Sequence, residues 1–210
     1  MAIAVAPVVF ERVTDTAGEF RGRPGEIRFV ELPSRLAVMI DGEGRPDSER
    51  FAPRMPGLYA TAFGLRFALK RRGVETHVRP LEGLWWTASG ENAFDTILGE
   101  ERADWRWTLL IVLPDEAREA ELREALGTAR LKLTAPFAAS LRVERFEEGI
   151  AAQVIHLGPY DRERPTIERL HSAIGAAGLR PRGRHHEIYL GDPRRSASDR
   201  LRTLIRQPVG

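Results

Sequence analysis

The stretch His185–Arg195, HHEIYLGDPRR, decides how the chain is read. Successive side chains in a strand point to opposite faces. His185, Glu187 and Tyr189 therefore share one face and His186, Ile188 and Leu190 the other, until Gly191-Asp192-Pro193 stops the strand. With Ile188 and Leu190 packed on a core, the opposite face carries an imidazole, a carboxylate and a phenol in a row. A carboxylate in mid-strand is costly to bury without a partner. Glu187 is either solvated in a cleft or held there for a purpose.

Upstream of it, Ile150–Leu157 reads as a strand ended by Gly158-Pro159, and Arg164–Ala177 as a helix with Ile167, Leu170, Ile174 and Ala177 on one face, closed by Gly178. Downstream, Leu201–Ile205 supplies a last strand. The first half has the same order. Arg35–Ile40 is an apolar strand before the turn Asp41-Gly42, and Leu58–Arg72 repeats Leu58, Ala62, Leu65 and Leu69 at helical spacing up to Gly73. Val74–Trp86 suggests a strand broken by Pro80 and Gly83, residues 89–104 a loop or poor helix, and Trp105–Leu113, WRWTLLIVL, a strong strand ended by Pro114. Asp115–Gly127 reads as an amphipathic helix with Asp115 as N-cap and Gly127 as its stop. TLLIVLP at Thr108 echoes TLIRQPV at Thr203. A period of about 100 residues is too long for a solenoid and fits a duplicated strand-helix-strand-strand unit.

The predicted fold class is α+β: two such units in an antiparallel-rich sheet, helices on one face, and a central groove expected on the open face. An N-terminal arm (1–30) wraps a single domain (31–210) whose repeats, about 31–114 and 141–210, are joined by a helical linker.

Lys and Arg total 32 against 30 Asp and Glu, a net charge of +2 that offers no strong field for nucleic acid or anionic lipid. Without cysteine the chain has no disulfide scaffold, thiol nucleophile or cysteine-ligated zinc. The opening MAIAVAPVVFERV lacks a positive n-region and reaches Glu11 and Arg12 early, so a cytoplasmic protein with no signal peptide or membrane span is expected. No HExxH, P-loop, GxGxxG or GxSxG occurs, and the histidines lack ligand spacing. Neither a metal nor a cofactor is expected.

Four strings taken together, LEGLWW at Leu81–Trp86, QxxHxGPYxxE at Gln153–Glu163, HHEIYLGDPRR at His185 and LRTLIRQPV at Leu201, resemble the GyrI-like small-molecule-binding superfamily, in particular its stand-alone branch. The resemblance covers nearly everything after residue 30. It implies a duplicated fold, a ligand groove between the halves and a buried glutamate, Glu187 by position, that receives cationic or aromatic ligands. Some members of the branch also imply an activity. They are cyclopropanoid cyclopropyl hydrolases, which add water across the strained ring of DNA-alkylating natural products. The chain departs from the pattern at Phe63, where tyrosine is expected, at Ser198, where proline is, and at Arg200 and Arg202, where lysines are.

Glu187 is the leading catalytic candidate, as general base or counter-charge, against the plain reading of a carboxylate paired with one of many arginines. Glu163, in the quoted string, is the second carboxylate, though it also suits a helix start. Trp85 and Trp86 point oppositely, so one faces the core and one the other side, and a groove for flat ligands needs such stacking surfaces. Tyr59, Phe63, His185 and Tyr189 complete the expected ligand-binding set. Trp105 and Trp107 share a face with Leu109 and Ile111 and read as core. Glu82, beside Gly83, reads as a solvated turn residue. The expected partner is a bulky aromatic or cationic small molecule. A gyrase-binding protein is the alternative, a transcription factor is disfavoured because no helix-turn-helix precedes the domain, and homodimer formation is left open.

Overall fold

The structure, a computed structural model, describes residues 8–45, 51–87 and 105–210; the expected loop at 89–104 lies outside these. Its strands are β1 (Glu11–Arg12), β2 (Ile27–Leu32), β3 (Arg35–Glu43), β4 (Glu82–Thr87), β5 (Trp105–Val112), β6 (Arg142–Phe146), β7 (Gly149–Leu157), β8 (His185–Tyr189) and β9 (Arg202–Pro208). The helices are α1 (Thr16–Glu19), α2 (Met55–Arg71), α3 (Glu119–Arg130), α4 (Ala135–Ser140) and α5 (Arg164–Ala176). All nine strands form one sheet in the order β1-β2-β7-β9-β8-β4-β5-β3-β6.

That order contains the duplication. The units β3-α2-β4-β5 and β7-α5-β8-β9 lie in the sheet as β3-β5-β4 and β8-β9-β7, mirrored about the β4/β8 seam. The sheet also has to curl. β2 and β3 stand six strand spacings apart, about 29 Å if flat, yet only Pro33 and Ser34 link them, a reach of about 11 Å. Glu147 and Glu148 impose the same constraint between β6 and β7. The result is a half-barrel with a concave inner face and an outer face that takes the helices.

On the outer face α2 lays Leu58, Ala62, Leu65 and Leu69 over Val38, Ile40, Trp107, Leu109 and Ile111, while α5 lays Ile167, Leu170 and Ile174 over Ala152, Val154 and Ile205. Trp107 is core, as its period predicts, with Trp105 packed at its edge. Ile188, with Ile155 and Leu204, packs on the inner face, against which Leu190 rests. No helix among the described residues is long and apolar enough to cross a membrane.

Several expectations need correction. Residues 27–30 are not a wrapping arm: they begin β2, which pairs antiparallel with β7 and buries Val30. Residues 74–81 are not strand. β4 starts at Glu82 and runs through Gly83, because pairing with both β5 and β8 outweighs the glycine's weak strand preference. Glu82 is accordingly buried, not a solvated turn residue. The helix expected from Asp115 begins at Glu119, where the Arg118 backbone N–H donates to Glu121 Oε2 at 2.9 Å. That bond fixes the later start, and the helix runs past Gly127 to Arg130.

Candidate functional site

The β4/β8 seam runs between α2 and α5, and here the outer face is not fully covered. His185, Glu187 and Tyr189 point to this side, opposite Trp85 and Gly83 of β4 and beside Ile205 and Thr203 of β9. The Glu187 face is thus the helix-bearing one, between the helices, and not the open one. The reason is topological. Each unit carries a single helix over its own half, so the seam of the duplication remains between them.

Glu187 is held by neighbours on its own strand. The Tyr189 hydroxyl donates to Glu187 Oε2 at 2.9 Å, and His185 Nε2 lies 3.3 Å from Glu187 Oε1. Glu163, at the start of α5 and 4% exposed, stands beside the same carboxylate. Burial, then the charge of Glu187, raises the Glu163 carboxyl to about 9. Glu163 is therefore protonated at neutral pH. The plain alternative, an arginine partner for Glu187, gives way to a phenol, an imidazole and a second carboxyl.

The neighbouring phenols and two of the imidazoles are held toward their neutral forms. Burial raises the Tyr189 phenol well above its usual range, with Glu187 adding to it, and burial likewise pushes Tyr160 to about 12. Tyr160 meets Tyr189 edge-on at 5.6 Å and is 38% exposed, which places it at the mouth. His156, with Nδ1 2.9 Å from Thr166 Oγ1, is lowered by burial. His171 falls to about 4, through burial and then His185.

Trp85 forms the wall toward the first core, stacked on Phe51 at 6.1 Å and edge-on to Trp105. Gly83 makes room for it: a Cβ there would stand 2.8 Å from Trp85 Nε1 and 3.0 Å from Tyr189 Oη. Gly83→Ala is expected to displace one of these rings, costing about 1–3 kcal/mol of stability and weakening ligand-induced stabilisation. Thermal denaturation with and without ligand measures both, and unchanged values would show that the ring pair yields freely.

Of the residues singled out from sequence, Glu187, Glu163, His185 and Tyr189 meet in one cluster, and Trp85 borders it. Tyr59 and Phe63 stand on α2, with ring centroids 6.4 Å apart. Trp86 is not among them. It faces the concave side, with the Arg184 guanidinium 3.7 Å above its ring, because strand alternation sends it away from Trp85. A cavity of about 200 Å³ also opens on that concave side, lined by Met39, Leu84, Thr108, Phe146 and Arg184 among others. The acid pair is across the sheet from it. Sequence reading did not single out Tyr160 and His156, which border the cluster and stand in the QxxHxGPYxxE string.

This architecture recurs in solved structures. An uncharacterized conserved protein from Listeria innocua is 31% identical, with a TM-score of 0.78 over 91% of this chain and 96% of that one. A hydrolase from Listeria innocua is 30% identical, with a TM-score of 0.74 over 91% and 95%. Another hydrolase from that organism is 29% identical, with a TM-score of 0.76 over 96% and 100%. The C-terminal domain of EcmrR, at 14% identity and a TM-score of 0.57, shares the fold. No curated protein matched the sequence. The GyrI-like small molecule binding domain matches residues 25–209, both repeats and the seam between them, and the chain belongs to that family.

Proposed function

We propose that the protein binds planar aromatic molecules over the β4/β8 seam and hydrolyses a strained electrophilic ring in them, of the cyclopropanoid kind carried by DNA-alkylating natural products. The observation that carries this reading is the acid pair: one carboxylate, Glu187, beside one carboxylic acid, Glu163, in a groove walled by aromatic rings. A carboxyl held protonated by burial next to a second carboxyl group is equipped for the acid role while its neighbour serves as base. The relatives described as hydrolases, near 30% identity, support the reaction class.

The chemistry balances on these residues. Glu187 takes a proton from water as the new O–C bond forms and the strained C–C bond breaks. The released electron pair moves through the conjugated system to its carbonyl oxygen, which accepts the proton from Glu163. Passage of a proton from Glu187 back to the neighbouring Glu163 resets the pair. Tyr189 holds Glu187 in place, while Trp85 and the α2 aromatics keep the ligand flat.

The test combines thermal shift with a planar aromatic ligand and chromatography of a cyclopropanoid alkylator. Saturable stabilisation and ring-opened product above the buffer rate are expected. Turnover should also fall as pH rises through about 9, where Glu163 loses its proton. No stabilisation by any planar ligand would overturn the binding role. Binding without turnover, or a rate that continues to climb above that pH, would remove the acid–base pair from the reaction.

A further inference from the structure

The cavity of about 200 Å³ on the concave side has a chemistry of its own, apart from the acid pair across the sheet. Met39 of β3, Leu84 of β4 and Phe146 of β6 give it an apolar floor. Arg142, Arg182, Arg184, Glu144, Glu147 and Glu148 stand around that floor. What such a cavity attracts depends on which of these charges is already compensated.

Glu148, 5% exposed, accepts from Arg206 Nη1 at 2.7 Å and has His186 Nδ1 at 2.8 Å. Arg142 pairs with Asp41 Oδ2 at 2.8 Å and with Glu144 Oε1 at 3.2 Å. Arg184 lies over Trp86, with its Nη1 3.5 Å from Thr108 Oγ1. Arg182 differs from these. Its Nε donates to the Val209 carbonyl at 2.8 Å and its Nη2 to the Glu148 carbonyl at 2.6 Å. Gly149, with a φ of 71°, lets the guanidinium come this close, since a Cβ there would stand 3.1 Å from Nη2. The carbonyls fix the guanidinium without cancelling its charge, and no carboxylate among the described residues pairs with it. A rigid cation thus stands beside an apolar floor, with Nη1 left over for a ligand. Against an anion there is Glu147, exposed and without an ion pair among the described residues.

We infer that the concave cavity is a second ligand site, for a small aromatic carboxylate whose charge meets Arg182 and whose ring lies on Met39, Leu84 and Phe146. A guanidinium presents N–H groups in a plane that suits a carboxylate, and one already held in place loses little freedom on binding. The volume, about 200 Å³, is below the roughly 300–1,000 Å³ usual for drug-sized ligands and suits a single ring with one polar group. An ammonium in place of the carboxylate would be repelled by Arg182. An inorganic anion would leave the apolar floor unused. The site does not depend on the hydrolysis proposed above, because the sheet separates it from Glu187.

Titration of the ¹⁵N-labelled protein with benzoate, methyl benzoate, benzylammonium and inorganic phosphate, at constant ionic strength and followed by amide chemical shifts, tests this. Benzoate should saturate with shifts at Leu84, Phe146, Gly183 and Arg184, and the other three should bind about tenfold more weakly or not at all. Arg182→Met should weaken benzoate by about tenfold or more. Because that change also removes bonds to the end of β9, its melting temperature is measured alongside. Glu147→Gln alters an exposed side chain and carries the test even if Arg182→Met unfolds: it should tighten benzoate by about two- to fivefold, the worth of one exposed like charge. The inference is overturned by the absence of a saturable benzoate shift, by shifts confined to the Glu187 and Tyr189 side of the sheet, by any of the other three probes matching benzoate, or by a benzoate affinity that Glu147→Gln leaves unmoved. None of these results bears on hydrolysis at Glu187, so the two proposals fail separately.

Discussion

Glu187→Gln will leave a folded protein that still binds its ligand and turns it over about 100 to 10,000 times more slowly, the usual worth of a general base. Glutamine keeps the size of the side chain, and its amide oxygen still accepts the Tyr189 hydroxyl that now reaches Glu187 Oε2 at 2.9 Å. It cannot accept a proton from water. The substitution has a second consequence that a merely structural residue would not produce. Part of what holds the Glu163 carboxyl near 9 is the charge of Glu187, so removing that charge lets Glu163 ionise at lower pH. The residual activity should therefore decline from a lower pH than in wild type. Hydrolysis of a cyclopropanoid alkylator across the pH range, followed by chromatography, measures both effects. Equal rates in the two proteins would take Glu187 out of the mechanism.

The faces of β8 were legible because alternation is local: His185, Glu187 and Tyr189 needed only their own positions to be placed together, and Ile188 on the core side. The duplication was legible for the same reason, since each unit repeats a strand, a glycine-closed helix and two strands in order. What alternation does not supply is which face receives the helices, and Glu187, expected toward the open face, stands on the helix-bearing one. Trp85 and Trp86 show the same limit. Their opposition follows from adjacency, but only the tertiary pairing of β4 with β8 tells which one borders Glu187.

Glu82 was misread for a different reason. The string Pro80-Leu81-Glu82-Gly83 has the composition of a turn. Gly83 is instead the place where two rings approach the backbone, and Glu82 points to the inner face, where His186 Nε2 lies 3.0 Å from its Oε2. Burial of that carboxylate depends on partners distant in the chain. Glu19 and Arg206, in the same inner layer, are 187 residues apart, beyond the reach of any local pattern.

Those distant partners give the largest stability effect expected in this protein. Arg206, 1% exposed, donates to Glu19 Oε1 at 3.0 Å, Glu148 Oε2 at 2.7 Å and Gln153 Oε1 at 3.0 Å, and so ties α1, the β6–β7 link and β7 to the middle of the sheet. Arg35 and Arg79 add charge to Glu19, and His186 Nδ1 lies 2.8 Å from Glu148 Oε1. Arg206→Met removes one cation and leaves two buried carboxylates short of compensation. Breaking a buried pair this way costs about 3–5 kcal/mol, or roughly 6–20 °C in melting temperature for a chain of this size. The pH dependence follows with its sign. Despite burial, Arg206 and the other cations hold Glu19 at about 2, and His186 with Arg206 hold Glu148 at about 2, both below the ordinary 4.5. Their contribution is present above 4.5 and is lost as pH falls through about 2. His186, raised to about 9 by Glu148 against its burial, contributes fully below 6.5 and loses that contribution as pH rises through about 9. Wild type should therefore be most stable between these limits, and Arg206→Met should be lower throughout with a flatter acid limb, because its two carboxylates no longer gain as much by ionising. Denaturant titrations of both proteins at pH 3, 5.5 and 9 measure it; parallel curves with no offset would show that the network contributes nothing net to the fold.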